Sequence, residues 1–311
     1  QENFDESDLA KDLSDILGIE NVRKTITADE CFEMLPTIQY HMDEPQSNPS
    51  SVPLYFLSKL AREHVTVVLS GEGADEIFGG YEWYDDDEKL KKYKKLPAFI
   101  RKPVAKVAQK MPYFRGRTTL IRGGAPVEDY FIGQAQIFEE REAVDILKAP
   151  YKKSPSVREI TKPVYDKVKN QDDVTKKQYL DLKLWLAGDI LLKADKMSMA
   201  HSIELRVPFL DKEVMKVGES IPTKYKVNDE NTKVALRYAA KEVLPEEWAK
   251  RQKKGFPVPI RFWFKEQKYY DMVKETFTSD YAGEFFDTEK IVKLLDDHFH
   301  DRCNNARKIY T

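Results

Sequence analysis

The stretch that most constrains the fold is VTVVLSGEGADEIFGGY, which runs from Val65 to Tyr81. It begins with an apolar run over residues 65–69, of the kind that is buried on both faces of a parallel sheet. The turn Ser70–Gly73 follows, and then a helix opened by Asp75 and Glu76. Open α/β sheets bind ligands at such turns, because free backbone N–H groups and the helix dipole favour anions. The stretch therefore predicts a buried strand, a ligand-binding turn and a helix.

Two carboxylates distinguish this turn from a plain phosphate-binding loop. Glu72 lies inside the turn, where it would repel phosphate, and Asp75 is placed to share a cation with it. Carboxylates beside phosphate-binding amides indicate Mg²⁺-nucleotide chemistry. An acidic turn followed by a solvated first helical turn has the same spacing, and the spacing alone favours that alternative.

The first 80 residues alternate helices and strands, which predicts a doubly wound parallel sheet. The predicted elements are a helix over Asp5–Gly18, a strand over Val22–Ile26, a helix from Thr27 and a helix over Ser51–Glu63. Thr27 and Glu30 have the spacing of a capping box. After Tyr84 the strand pattern fades. We therefore divide the chain into an α/β nucleotide-binding portion over residues 1–84 and a mainly helical remainder over 85–311.

Within the remainder, residues 112–126 are predicted as a loop, and residues 128–147 and 174–200 as helices. In the last of these, Asp189 and Lys193 are spaced i, i+4. This spacing fits a stabilising pair on the helix surface, and it fits equally a charged helix end that approaches a ligand cleft. His201 is predicted as a packed histidine and His298 as part of a solvated helix rather than a metal ligand.

Composition excludes several classes of protein. The 51 basic and 53 acidic residues nearly cancel, which argues against a nucleic-acid partner. No apolar run approaches the length of a membrane span, and no signal peptide opens the chain. Cys31 and Cys303 are too few for a disulfide framework, so we expect a cytoplasmic protein. Because the chain opens on Gln1 and stops inside a helical pattern, we expect it to be a piece of a longer protein.

Three motifs together resemble the class B asparagine synthetases, the glutamine-dependent enzymes that make asparagine from aspartate. They are SGEGADEIFGGY from Ser70, KADKMSMAHSIELRVPFLD from Lys193, and LPEEWAKRQKKGFPVP from Leu244. They follow the order of the C-terminal synthetase domain in that family. The resemblance implies an α/β fold: a partial doubly wound parallel sheet of the PP-loop ATP-pyrophosphatase type, with a large α-helical lobe.

The resemblance also implies an activity and partners. In the family, the side-chain carboxylate of aspartate attacks the α-phosphorus of ATP, giving β-aspartyl-AMP and pyrophosphate. Ammonia, released from glutamine in a separate N-terminal glutaminase domain of the same parent chain, then displaces AMP. ATP and Mg²⁺ are the implied cofactors. A homodimer is compatible with the family, and the sequence leaves the oligomeric state open.

The resemblance assigns roles to five residues of this chain. Ser70 and Gly71 would contact the nucleotide, and Asp75 would help hold Mg²⁺. Glu72 would support formation of the intermediate and accept a proton from ammonia. Lys253 would contact the phosphates and stabilise the departing pyrophosphate.

Several other positions match the family without a definite role. Lys233 and Arg237 belong to this group, and so do Asp43, Asp195, Glu204 and Arg206. Glu204 and Arg206 are predicted to form a structural ion pair that braces the cleft.

Two departures from the family matter. The pyrophosphate-binding SGGxDS loop and the cysteine nucleophile of the glutaminase domain do not occur in this sequence. We therefore predict that the 311 residues alone cannot complete catalysis. Asn48 stands where an aspartate is expected, which leaves the acceptor open. Two alternatives remain: a related amide- or β-lactam-forming adenylating enzyme with another carboxylate acceptor, and a non-catalytic scaffold module.

Overall fold

A computed structural model of the chain describes residues 6–112, 114–133, 136–251, 255 and 258–311. It is a predominantly helical α/β structure with a small parallel sheet, as predicted. The strands are β1 (Val67–Leu69) and β2 (Glu204–Arg206). The helices are α1 (Ser7–Leu17), α2 (Ala28–Met42), α3 (Ser51–Arg62), α4 (Ala74–Phe78), α5 (Glu88–Lys94), α6 (Ala98–Lys110), α7 (Arg117–Gly124), α8 (Glu140–Ile146), α9 (Val157–Tyr165), α10 (Asp173–Leu180), a π-helix (Asp181–Leu191), α11 (Leu192–Met199), α12 (Lys212–Ser220), α13 (Val234–Ala240), α14 (Glu246–Lys250), α15 (Ile260–Trp263), α16 (Gln267–Phe277), α17 (Asp280–Phe285), α18 (Thr288–Phe299) and α19 (Ala306–Tyr310).

The sheet joins two distant parts of the chain. Val67 pairs with Glu204 and Leu69 with Arg206, in parallel register. The side chains of Val67 and Leu69 are 40% and 73% exposed, so the prediction of a strand buried on both faces is wrong. The physical reason is that the sheet has only two strands among the described residues, so β1 has a neighbouring strand on one side only.

The predicted start of α2 is confirmed. The Thr27 hydroxyl accepts a hydrogen bond from the Glu30 amide at 3.2 Å, and the Glu30 carboxylate accepts one from the Thr27 amide at 2.9 Å. Gly18 ends α1 with a left-handed φ of 67°, as the helix prediction over Asp5–Gly18 requires. The strand predicted over Val22–Ile26 is wrong, because this segment pairs with no strand in the described structure.

Two predictions in the helical part are corrected. The segment predicted as a loop contains α7, whose first residue, Arg117, is buried and donates from Nε to the carbonyl of Ala108 at 3.0 Å. The single helix predicted over residues 128–147 is instead a short 3-10 turn followed, after a break, by α8. Gly133, with a φ of 75°, lies in the break, and its left-handed backbone cannot continue a right-handed helix.

The helical region predicted over residues 174–200 is confirmed. It is formed by α10, the π-helix and α11 in direct succession. The N-cap is Asp172, which accepts hydrogen bonds from the Val174 and Thr175 amides at 3.0 and 3.1 Å. The π-helix bonds residues five apart rather than four, so its side chains follow a different spacing from that of an α-helix.

Three clusters of buried side chains hold the helices together. The first surrounds Tyr84, Leu180 and Ile190, where α10 and the π-helix pack. The second joins α2, α3 and α11 through Ile38, Met42, Val52 and Met197. The third joins α15, α18 and α19 through Ile260, Leu295 and Ile309. Among the described residues, no helix is both long enough and apolar enough to cross a membrane.

The two histidine predictions have different outcomes. His201 is packed, as predicted, with its ring 4.4 Å from that of Tyr55. His298 is 1% exposed, so its assignment to a solvated face is wrong. Its Nε2 bonds the carbonyl of Arg261 at 2.9 Å, and its Nδ1 accepts from the Asn305 amide at 3.3 Å. His298 is a buried structural residue that links two helices.

Candidate functional site

The candidate site is built on the turn between β1 and α4. Ser70 extends the sheet by donating its amide to the carbonyl of Arg206 at 2.8 Å. Gly71 is exposed and Glu72 is half-buried. Gly73 has a φ of 88°, and a Cβ atom there would collide with the side chain of Leu210. The predicted residues Ser70, Gly71 and Glu72 therefore lie together in a turn whose shape requires glycine at its end.

Asp75, in the first turn of α4, forms an ion pair with Lys233. The Lys233 ammonium lies 2.8 Å from Oδ1, and both side chains are about four-fifths buried. Lys233 stands at the N-terminus of α13 with a left-handed φ of 53° and donates its amide to the carbonyl of Gly79 at 3.2 Å. A Cβ atom at Gly80 would collide with both charged groups, so Gly80 makes room for the pair. The structure thus brings Lys233, a family-matched residue without an assigned role, to the predicted turn.

This arrangement bears on the predicted Mg²⁺ site. Mg²⁺ prefers oxygen ligands in octahedral geometry and is commonly held by one or two carboxylates together with phosphate oxygens. In the described part of the chain, no group of three or more His, Cys, Asp and Glu side chains is placed to hold a metal ion. Because Lys233 already engages Asp75, the described residues do not by themselves form a metal site, and the role of Asp75 as a ligand stays a prediction.

Glu76 lies on the buried face of α4. The sequence predicted it as part of the first helical turn but assigned it no role in the site. It is 1% exposed, and its carboxylate accepts a hydrogen bond from the Tyr81 hydroxyl at 2.6 Å. Burial raises the pKa of Glu76 above its usual range. The Gln178 side chain, from α10, donates to the carbonyls of Glu76 and Ile77 at 2.7 and 3.1 Å. The sequence signal that could have identified this contact is a polar residue on the apolar face of each helix, Glu76 on α4 and Gln178 on α10.

Arg237 has a positioning role next to the third motif. Its guanidinium donates to the carbonyls of Thr232, Ala249 and Arg251 at 2.7, 2.9 and 2.6 Å. It thereby fixes the end of α14 and the start of the segment that follows. Lys253, predicted to contact the phosphates, lies outside the described residues.

The loop at residues 43–50 is attached to the π-helix region. The Asn48 side chain donates to Asp189 Oδ1 at 2.7 Å, and its own oxygen accepts from the Ser50 hydroxyl at 2.7 Å. Asp43 forms an ion pair with Lys196. Asp189 forms no ion pair with Lys193 in the described structure, so the interpretation of these two residues as a surface pair is wrong. Burial raises the pKa of Asp189.

The predicted pair of Glu204 and Arg206 is present. The Arg206 Nε lies 2.8 Å from the Glu204 carboxylate, on the exposed face of β2. Both side chains are about 60% exposed, so the pair contributes little to stability. Asp195 is exposed on α11.

The site is a glycine-containing turn that follows a parallel strand and opens a helix. Carboxylates and a lysine surround it, and this combination defines a class of binding site. Such turns are where α/β proteins bind nucleotides and other anions. Comparison with protein families shows to which family of such proteins the chain belongs. A family model described as asparagine synthase matches residues 1–311, and the chain belongs to this family.

Individual relatives agree with the family match. The chain is 44% identical over 312 residues to asparagine synthetase [glutamine-hydrolyzing] 1 of Bacillus subtilis (strain 168), covering 100% of this chain and 49% of that protein. It is 38% identical to a putative asparagine synthetase [glutamine-hydrolyzing] of Mycobacterium tuberculosis (strain ATCC 25618 / H37Rv), covering 100% of this chain and 48% of that protein. The chain therefore spans about half the length of these curated relatives.

Proposed function

We propose that this chain is the synthetase portion of an ATP-dependent, glutamine-hydrolysing asparagine synthetase, which converts aspartate to asparagine through β-aspartyl-AMP. The observation that carries the proposal is the turn after β1. It places Glu72 beside a helix N-terminus and the Asp75–Lys233 ion pair, in a chain that belongs to the asparagine synthase family. The names of the relatives described above support the same activity.

The proposed reaction has two steps. A side-chain carboxylate oxygen of aspartate attacks the α-phosphorus of ATP, and the bond to the pyrophosphate oxygen breaks. The nitrogen of ammonia then attacks the resulting acyl carbon, and AMP leaves with the bond electrons. A proton must leave the attacking nitrogen, and Glu72 is the proposed acceptor because it lies in the turn beside the nucleotide.

The other proposed roles rest on the turn and on the resemblance to the family. The backbone of Ser70 and Gly71 would contact the nucleotide, since Gly71 is exposed and leaves the turn open to a ligand. Lys253 would stabilise the departing pyrophosphate. Mg²⁺ would enter as the complex with ATP, and Asp75 would contribute an oxygen if Lys233 released it.

We propose that ammonia comes from an N-terminal glutaminase domain of the same protein, because the relatives are about twice as long as this chain. We also propose a cytoplasmic location. Cys31 and Cys303 are both free thiols, one buried and one exposed, which fits a reducing compartment.

One observation favours a second candidate, an adenylating enzyme with a different carboxylate acceptor. Asn48 stands where an aspartate is expected, and its amide is bonded to Asp189 at 2.7 Å. An aspartate at position 48 would place two carboxylates in contact. In the second candidate, the Asn48 amide, rather than a carboxylate, would therefore lie next to the bound acceptor.

The test is pyrophosphate release by the intact protein that carries this chain, with ATP, Mg²⁺ and aspartate, with and without ammonia. We expect aspartate-dependent release with asparagine as product, and a loss of roughly 10²–10⁴-fold in Glu72→Gln. Glu63→Gln, at the exposed end of α3, is the matched control and should be unaffected. Release only with another carboxylate would support the second candidate. No release with any acceptor would refute both and favour a scaffold.

A further inference from the structure

The helical lobe contains a cavity of about 640 Å³ that shares no lining residue with the turn after β1. This volume lies in the range of small-molecule sites, roughly 300–1,000 Å³. The side chains that decide its chemistry are Trp83, Arg117, Arg122, Tyr130, Phe131 and Lys177. We propose that this cavity binds a small organic anion that joins a phosphate or carboxylate group to an aromatic ring.

Lys177, on α10, is the first reason. It is 2% exposed, and its ammonium donates to the carbonyl of Trp83 at 2.9 Å and lies 5.8 Å from the centre of the Phe131 ring. No carboxylate of the described residues lies within ion-pair distance of it. Burial lowers the pKa of Lys177 to about 8. A buried ammonium without a counter-ion is costly, and a bound anion would offset that cost.

The arginines of the cavity are the second reason. The lining carries five basic and three acidic side chains, so positive charge is in excess. Arg117 is held by Glu139 at 2.5 Å and by the carbonyl of Ala108 at 3.0 Å. Arg122 donates to the carbonyl of Asp85 at 3.1 Å. Because these contacts fix the guanidinium groups before any ligand arrives, little side-chain entropy would be lost on binding.

The aromatic walls are the third reason. Trp83 is stacked on Tyr81 with ring centres 4.1 Å apart, and its indole N–H donates to Asp181 at 3.3 Å. The carbonyl of Phe131 accepts from the Tyr165 hydroxyl at 2.7 Å. These contacts hold the Trp83 ring and the backbone of Phe131 in place from behind the cavity wall. Fixed aromatic walls beside fixed cations suit a ligand that is part ring and part anion.

Isothermal titration calorimetry of the intact protein tests the proposal, with phenyl phosphate as the probe. We expect one saturable site. Inorganic phosphate, which lacks the ring, should bind at least about tenfold more weakly, and phenol, which lacks the charge, should show no saturable binding. Equal binding of phenol and phenyl phosphate, or no saturable binding of phenyl phosphate, would overturn the proposal.

Two variants locate the site. Lys177→Met should weaken phenyl phosphate binding by about tenfold or more. Arg158→Gln should weaken it several-fold, and since Arg158 lines the cavity with a side chain that is 68% exposed, its loss leaves the fold intact. Lys162→Met, at an exposed lysine on α9 outside the cavity, should bind like the native protein. Native affinity in both Lys177→Met and Arg158→Gln would overturn the proposal.

The test is independent of the proposed synthetase activity, because it uses neither ATP nor aspartate. Phenyl phosphate binding should be unchanged in Glu72→Gln. If Glu72→Gln changed the affinity for phenyl phosphate in either direction, the probe would be binding at the turn after β1, and the cavity assignment would be wrong.

Discussion

Asp181 gives the sharpest prediction of pH-dependent stability. Its carboxyl is fully buried, and Oδ2 accepts hydrogen bonds from the Tyr84 hydroxyl at 2.8 Å and the Trp83 indole at 3.3 Å. Burial raises the pKa of Asp181 to about 7, from an ordinary value of 3.8. The folded protein therefore holds this proton more tightly than the unfolded chain does.

The sign and size of the effect follow from linkage. Stability from this group is fully present below pH 3.8, the unfolded pKa, and it is lost as the pH rises through the folded pKa near 7. A shift of this size corresponds to about 4 kcal/mol in total, at about 1.4 kcal/mol per pH unit. Between pH 5 and pH 7 we expect the ionisation of Asp181 to cost roughly 2–3 kcal/mol.

Asp181→Asn isolates this contribution. Its amide oxygen can still accept from Tyr84 and Trp83, but the side chain has no proton to lose. The free energy of unfolding, from urea titrations followed by tryptophan fluorescence, should rise relative to the native protein by about 1.4 kcal/mol per pH unit from pH 5 to 7, and level off above. Asp166→Asn, at an exposed carboxylate directly after α9, is the control and should show no such trend. A constant difference between Asp181→Asn and the native protein from pH 5 to 8 would refute the reasoning.

Three further variants test other contacts. Lys233→Met removes the partner of Asp75 and should lower the free energy of unfolding at pH 7 by about 1–3 kcal/mol in urea titrations; an unchanged value would mean that the pair is not stabilising. Asn48→Asp puts a second carboxylate against Asp189 and should cost about 1–3 kcal/mol at pH 7 but much less at pH 4, where one of the two is protonated; an equal cost at both pH values would contradict this. His298→Ala breaks a buried hydrogen bond at each ring nitrogen and should cost about 3 kcal/mol by calorimetry, whereas a loss below about 0.5 kcal/mol would show that water replaces the ring.

Each of these three variants has a matched control. Lys216→Met, at an exposed lysine paired with Glu213 three residues away, should leave stability nearly unchanged. Asn48→Ala loses the hydrogen bond to Asp189 without adding charge, so its cost at pH 7 should be smaller than that of Asn48→Asp. His300→Ala, at the exposed histidine two residues from His298, should have little effect.

Local signals in the sequence predicted local structure well. The capping box at Thr27 and the glycine that ends α1 act over a few residues, so the sequence around them contains all the required partners. The turn Ser70–Gly73 was predictable for the same reason, because a strand, a glycine and a helix start follow one another directly. The family resemblance, confirmed over the whole chain, added the order of the three motifs.

Features that depend on distant partners were predicted poorly. The segment Val22–Ile26 has the composition of a strand, but a strand exists only if another strand lies beside it. The spacing of Asp189 and Lys193 assumed an α-helix, and the π-helix invalidates that assumption. Lys177 and Asp181 were overlooked because nothing in their neighbourhood shows that Trp83 and Tyr84, about a hundred residues earlier, enclose them.

The pairing of β1 with β2 also has a consequence for the order in which the chain folds. Val67 finds its partner, Glu204, only after well over a hundred intervening residues. Closing so long a loop is slow compared with forming local helices, although each doubling of its length adds only about 0.6 kcal/mol to the entropic cost. On the ribosome, the turn that follows β1 must therefore wait until β2 has been synthesised. The part of the molecule proposed to bind the nucleotide can therefore be assembled only after the strand Glu204–Arg206 has been synthesised, although the turn itself was made well over a hundred residues earlier.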